Sequence, residues 1–139
     1  MNASTKLFKL YTDGGARGNP GPAAIGIIIV DMSGKVLQEI KRVIGVATNN
    51  QAEYRALVAG MKIVARLWNG SLACYSDSEL VIKQMNGVYQ VRNRALARLH
   101  DAVKLMERSF SSVQYLHVPR EHPMISRADA LVNEALDQA

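Results

Sequence analysis

The stretch Leu10–Val30, LYTDGGARGNPGPAAIGIIIV, decides how this chain is read. An apolar run leads to Thr12, a segment rich in glycine and proline follows, and a second apolar run ends at Val30. KLFKLYT (6–12) alternates polar and apolar residues before turning mostly apolar, the pattern of a strand. AAIGIIIVD (23–31) is continuous and β-branched, the pattern of a buried strand. Two residues suffice to close a hairpin. The long Gly/Pro loop between these strands, and the lone carboxylate Asp13 at its lip, therefore require a further reason.

Outward from this stretch, Ser33-Gly34 marks a turn and KVLQEIKRVIG (35–45) reads as the returning arm, giving an antiparallel meander over about 6–45. The period then changes. Thr48-Asn49-Asn50 supplies cap-type residues, and Glu53 stands three after Asn50 as in a capping box. Apolar positions at helical spacing, Leu57, Met61, Val64 and Trp68, predict a helix over 52–68 that ends at Asn69-Gly70. SLACYS (71–76) reads as a strand, 78–87 as a short helix, 97–110 as a long helix, 112–119 as a strand, 119–126 as a loop and 127–138 as the last helix. The order βββαβααβα implies a mixed sheet with helices on both faces.

The chain has 139 residues, 48 % of them hydrophobic, which fits one domain spanning 1–139. No run of about 18 apolar residues predicts a membrane span. MNASTKLFKL lacks the apolar middle of a secretory signal. The expectation is a soluble, cytoplasmic, monomeric protein with no membrane partner. One cysteine, Cys74, excludes an intrachain disulfide, and its place in LACY marks it as core. A formal net charge of +5 favours a polyanionic partner.

Four of the twelve acids stand apart because of where these elements place them. Asp13 and Asp77 end apolar strands, while Glu53 and Asp129 fall in the first turns of helices. Taken singly, each has an ordinary explanation: Glu53 and Asp129 complement helix N-termini, Asp77 caps the short helix, and Asp13 serves a turn. Taken together, strand ends and adjacent helix starts gather at one edge of an open α/β sheet, where sites form. Clustered carboxylates repel one another and need divalent cations to remain ionised. An all-oxygen ligand set suits Mg2+ or Mn2+ and argues against zinc. Two such ions about 4 Å apart activate a water and stabilise a leaving oxygen in phosphodiester cleavage.

Beyond that reading, the sequence resembles the type 1 ribonuclease H family over nearly its whole length. YTDGGARGNPGPAAIG, TNNQAEYRAL, YSDSELVIKQMNG and ISRADALVNEAL match that family's motifs in order. The resemblance implies the ribonuclease H-like fold, a five-stranded mixed sheet ordered 3-2-1-4-5 with helices on both sides. It implies endonucleolytic hydrolysis of the RNA strand of an RNA/DNA hybrid, giving 5′-phosphate and 3′-hydroxyl ends. It also implies two Mg2+ or Mn2+ ions per site. By the family pattern Asp13 bridges the ions, Asp129 helps hold the one that activates water, and Glu53 and Asp77 help hold the other. Gly14, Asn19, Asn49 and Asn50 match positions that contact the RNA backbone and its 2′-hydroxyls, and Thr48 matches a residue that grips a DNA phosphate. For Thr48, Asn49 and Asn50, plain helix capping is the competing role.

Two departures from the family pattern stand out. Many bacterial members insert a basic, tryptophan-bearing helix after the third motif, for which NGVYQVRNRALARLH is too short. Backbone grip then falls to Lys83, Arg92, Arg94 and Arg98, and Trp68 is assigned to the core. His122 precedes Asp129 by only seven residues; it is a candidate proton shuttle or product-release aid, while His100 and His117 read as structural. Two alternatives stand beside the hybrid nuclease: a same-fold nuclease that also acts on double-stranded RNA, and a catalytically silent hybrid-binding module.

Overall fold

The glycines after Asp13 belong to a strand and not to a loop. In the computed structural model, which describes residues 6–139, β1 (Leu7–Ala16) pairs antiparallel with β2 (Gly21–Val30) from Lys9↔Val30 through Asp13↔Gly26 to Ala16↔Ala23. The turn is only residues 17–20, shorter than the Gly/Pro composition predicts. Glycine persists in these strands because other backbones lie against them. A Cβ on Gly14 would overlap the Ala52 carbonyl of α1 (Asn49–Ala65), and a Cβ on Gly26 would overlap the Ala128 carbonyl of α4 (Pro123–Gln138). Gly14 and Gly26 therefore set how closely two helices approach the sheet from its two faces.

The remaining elements are β3 (Val36–Ala47), β4 (Ser71–Ser76), α2 (Glu79–Met85), α3 (Arg94–Met106), a single 3-10 turn at Glu107–Ser109, and β5 (Ser112–His117). The sheet order is β3-β2-β1-β4-β5, as the family resemblance implies. β3 is antiparallel to β2, whereas β1, β4 and β5 run parallel. One core, holding Leu10, Ile27, Tyr54, Met61, Leu72 and Val103, lies between the sheet and α1, α2 and α3. A smaller one, holding Tyr11, Ile28, Ile125 and Leu131, lies under α4. No helix among the described residues is long and apolar enough to cross a membrane.

Several boundaries move, each for a local reason. α1 starts at Asn49, because Thr48 is its N-cap: the Thr48 hydroxyl accepts from the Gln51 amide at 3.1 Å, and the Gln51 side chain accepts from the Thr48 amide at 2.9 Å. The capping box is thus Thr48/Gln51 and not Asn50/Glu53, and Glu53 stands beyond the first turn. α1 also ends at Ala65, short of Trp68. The Trp68 indole instead stacks on Phe8 at 4.6 Å and donates to the Ser71 carbonyl at 2.8 Å. α4 begins at Pro123 where a loop is predicted, because proline suits a helix's first position. Asp129 is consequently a full turn inside α4, and neither Glu53 nor Asp129 complements a helix N-terminus. Ser78, and not Asp77, caps α2.

Gly26→Ala should push α4 off the sheet, since its new methyl meets main chain that cannot rotate away. A loss of roughly 1–3 kcal/mol is expected, to be read as a lower denaturant midpoint with an unchanged m-value.

Candidate active site

The parallel pairing of β1 with β4 ends at Tyr11↔Tyr75, while β1 runs on with β2 to Ala16. Past this point the chain leaving β4 turns away into α2, and a crevice opens at Asp13. This is the switch point of the sheet, where the strand order reverses. Three segments bring acids to it. Asp13 projects from β1, Asp77 follows β4, and Glu53 reaches over from α1, its Oε1 accepting from the Gly14 amide at 2.7 Å. Carboxylate oxygens of Asp13, Glu53 and Asp77 all lie within 4.8 Å of one another. Asp129 of α4 lines the same cleft of about 250 Å³ from the other side of the sheet.

The electrostatics follow from burial and crowding. Asp13 and Glu53 are only 7 % and 8 % exposed. Burial, then the charges of Asp77 and Asp129, push the Asp13 carboxyl from 3.8 up to about 8. Burial and the Asp13 charge likewise hold Glu53 well above the ordinary carboxylate range. Burial also raises Asp77, with Arg120 and His117 acting in the opposite direction. None of the ion pairs among the described residues uses any of these four acids. A buried all-oxygen set with no cationic side chain bonded to it fits a hard divalent cation.

The predicted polar contacts also gather here. The Asn49 side-chain carbonyl accepts from the Ala16 amide at 3.3 Å, and that of Asn19 accepts from the Asn49 amide at 3.0 Å. Together they tie the β1–β2 turn to the start of α1. Thr48 is spent on its cap, and Asn50 is exposed beside it. Lys83 donates to Glu79 at 2.6 Å and to the Tyr89 hydroxyl at 3.2 Å, whereas exposed Arg92 and Arg94 have no acidic partner among the described residues. The loop that carries Arg92 is tied to α1: the Tyr54 hydroxyl donates to Gln84 at 2.6 Å, and Gln84 donates to the Gln90 carbonyl at 3.2 Å.

His122 is not brought to the cleft. Its Nδ1 accepts from the Met124 amide at 3.2 Å as the N-cap of α4, and its ring stacks on Tyr11 at 5.3 Å. Arg120, Arg17 and Asn133 also line the cleft. For Asn133 a signal existed, since it follows Asp129 by four residues on one helix face, and it donates to the Asp129 carbonyl at 3.2 Å. Arg17 is held by Asp137 at 2.6 Å.

Sheet order, helix placement and an acidic cleft at the switch point together define a ribonuclease H-like protein. The sequence model of the reverse transcriptase-like family matches residues 11–135. A ribonuclease HI of Halobacterium salinarum is 42 % identical over 129 residues, which is 93 % of this chain and 64 % of that protein. The crystal structure of RNase H1 from the same organism superposes with a TM-score of 0.90 at 40 % identity, covering 96 % of this chain and 99 % of that one. LC11-RNase H1, solved in complex with an RNA/DNA hybrid, gives 0.87 at 40 % identity, over 94 % and 97 % of the two chains. The bifunctional protein Rv2228c of Mycobacterium tuberculosis is 42 % identical over 132 residues, 94 % of this chain but 35 % of that protein. The chain thus spans less than two thirds of the length of these curated relatives. It belongs to the ribonuclease H1 family.

Crowding of the acids sets the behaviour of the metal-free protein. Between pH 3.8 and about 8 the unfolded chain is ionised at Asp13 while the folded chain holds the proton. Metal-free stability should therefore fall as pH rises through this window and level off above it. Asp13→Asn should flatten that profile and raise the metal-free melting temperature at pH 8, by roughly 3–5 °C if about 1 kcal/mol of repulsion is relieved. Scanning calorimetry in EDTA against pH measures both.

Proposed function

We propose that this chain is an endonuclease that hydrolyses the RNA strand of an RNA/DNA hybrid, leaving 5′-phosphate and 3′-hydroxyl ends. The observation that carries the reading is the convergence of Asp13, Glu53 and Asp77 within 4.8 Å, with Asp129 beside them, in an open cleft on a chain of net charge +5. The hybrid bound to LC11-RNase H1 supports the substrate. Asp13, Glu53, Asp77 and Asp129 would hold two Mg2+ or Mn2+ ions. Such ions supply an activated water and charge stabilisation at the leaving oxygen.

The chain's other residues bind and orient. The carbonyl ends of Asn19 and Asn49 are engaged by main chain, so their side-chain NH₂ groups remain as donors to substrate oxygens. Donors of this kind, with Asn50 alongside, read a 2′-hydroxyl and so tell RNA from DNA. The Thr48 oxygen is held by its cap, but its O–H remains to donate to a DNA phosphate beside the helix start. Arg120 places positive charge at the rim of the cleft. Arg92 and Arg94 steer the backbone, a grip by charge alone that weakens steeply with salt. His122 holds α4 and has no chemical step.

End-labelled RNA/DNA, RNA/RNA and DNA/DNA duplexes incubated with Mg2+, Mn2+ or EDTA test this reading. Metal-dependent cuts confined to the RNA of the hybrid are expected, and Asp13→Asn should lower the rate by roughly 10³-fold or more. Cleavage of RNA/RNA at a comparable rate would move the substrate to double-stranded RNA. No cleavage in either metal would leave a silent binding module. His122→Ala should keep kcat within about threefold while losing about 1 kcal/mol of stability through the missing cap. A large fall in kcat at unchanged stability would return His122 to the mechanism.

A further inference from the structure

Unpaired cations cluster on one part of this molecule. On the α4 face the cations are neutralised: Arg17 by Asp137, Lys41 by Glu134, and Arg127 by Glu39 and Glu134. On the opposite face Lys83 pairs with Glu79 and Lys104 with Glu107, but a group of cations around α1 stays unpaired. α1 carries Arg55 and Lys62, Arg66 is its C-cap, and Arg42 stands on β3; the sole acid of α1, Glu53, is committed to the cleft. Among the described residues none of these four cations has an acidic partner. They rim a groove of about 310 Å³ whose floor includes Ile63 and Leu99. The Arg55 guanidinium is pinned there by the Ile44 carbonyl at 3.1 Å.

Like charges one turn apart, as at Lys62 and Arg66, destabilise an isolated helix, and an external anion relieves that repulsion. The floor narrows the choice of anion. Among the described residues no aromatic ring lines the groove, so the bases of a single strand have no stacking platform. An apolar floor under a ring of guanidinium and ammonium groups instead matches a peptide that pairs carboxylates with an aliphatic side chain.

We propose that this groove docks a short acidic peptide segment of a partner protein, with an apolar side chain on Ile63 and Leu99 and carboxylates over Arg42, Arg55, Lys62 and Arg66. Arg55 is exposed on α1 whereas Glu53, two residues earlier, is buried against the sheet, and Arg66 lies thirteen residues beyond Glu53, roughly 20 Å along α1 at the helical rise. A peptide held there leaves the acidic cleft open. The groove thus serves to recruit the protein to a partner, and this holds whatever the cleft acts on.

Fluorescence anisotropy on the intact chain tests it, with a labelled octapeptide alternating Asp and Leu, the same peptide with Ser for Leu, and labelled octathymidylate. The Asp/Leu peptide should bind saturably. Its affinity should fall roughly tenfold or more both in the double variant K62E/R66E and in the single variant R42E on a different element. The Ser peptide should bind more weakly than its Leu parent, because the floor has lost its contact. Far-UV circular dichroism identifies any variant that fails to fold, and the other then decides. Equal peptide affinity in the parent and in a folded variant would overturn the proposal. So would octathymidylate displacing the peptide at equal or lower concentration, which would make the groove a nucleic-acid site.

Discussion

The cleft depends on one strand outrunning its neighbour. β1 continues past the last residue of β4 that pairs with it and stays anchored only to β2. Every buried amide in a strand must find an acceptor, and just beyond the fork the Gly14 amide finds it in the Glu53 carboxylate. A gap in a backbone ladder is thus filled by a side chain from a helix. That bond places an acid against Asp13 which neither strand could have supplied. The helix can come so close only because residue 14 has no side chain. On the other face residue 26 does the same for α4, which carries Asp129.

The acids so gathered work against folding. Two are nearly buried, and among the described residues none of the four forms a salt bridge. The surrounding structure over-determines their positions through the sheet, both helix contacts and the Asn19–Asn49–Ala16 ties. Such rigidity is what a site for small hard cations requires, since their coordination tolerates little movement. The cation and the fold are therefore complementary: the protein supplies the geometry and the cation relieves the repulsion.

Much of this was legible in the sequence, and the reasons are specific. Periodicity marked every strand and helix in order, because β2 is a continuous β-branched run and α1 repeats apolar residues at helical spacing. The four acids were visible because each follows or interrupts an apolar segment. What escaped was local chemistry that residue type alone misstates. Glycine reads as a turn, so the last residues of β1 were taken out of the ladder; their true requirement is close helix approach. Pro123 reads as a breaker, so the first turn of α4 was assigned to a loop and Asp129 was placed too near the helix start. Arg120 carried no periodic signal, and the path from β5 to α4 brings it to the cleft. His122 is a candidate through the family pattern, and its Nδ1 starts α4, a use that its residue type does not announce.

Trp68 has a consequence of a different kind. It is the only tryptophan in the chain, plated on Phe8 at 4.6 Å, its indole N–H bonded to Ser71, on the flank of the sheet away from the acids. Its fluorescence therefore reports on the packing of β1 against the end of α1 and is spared direct quenching by metal ions in the cleft. The protein thus carries an intrinsic optical probe of its fold whose signal does not follow the occupancy of the cleft.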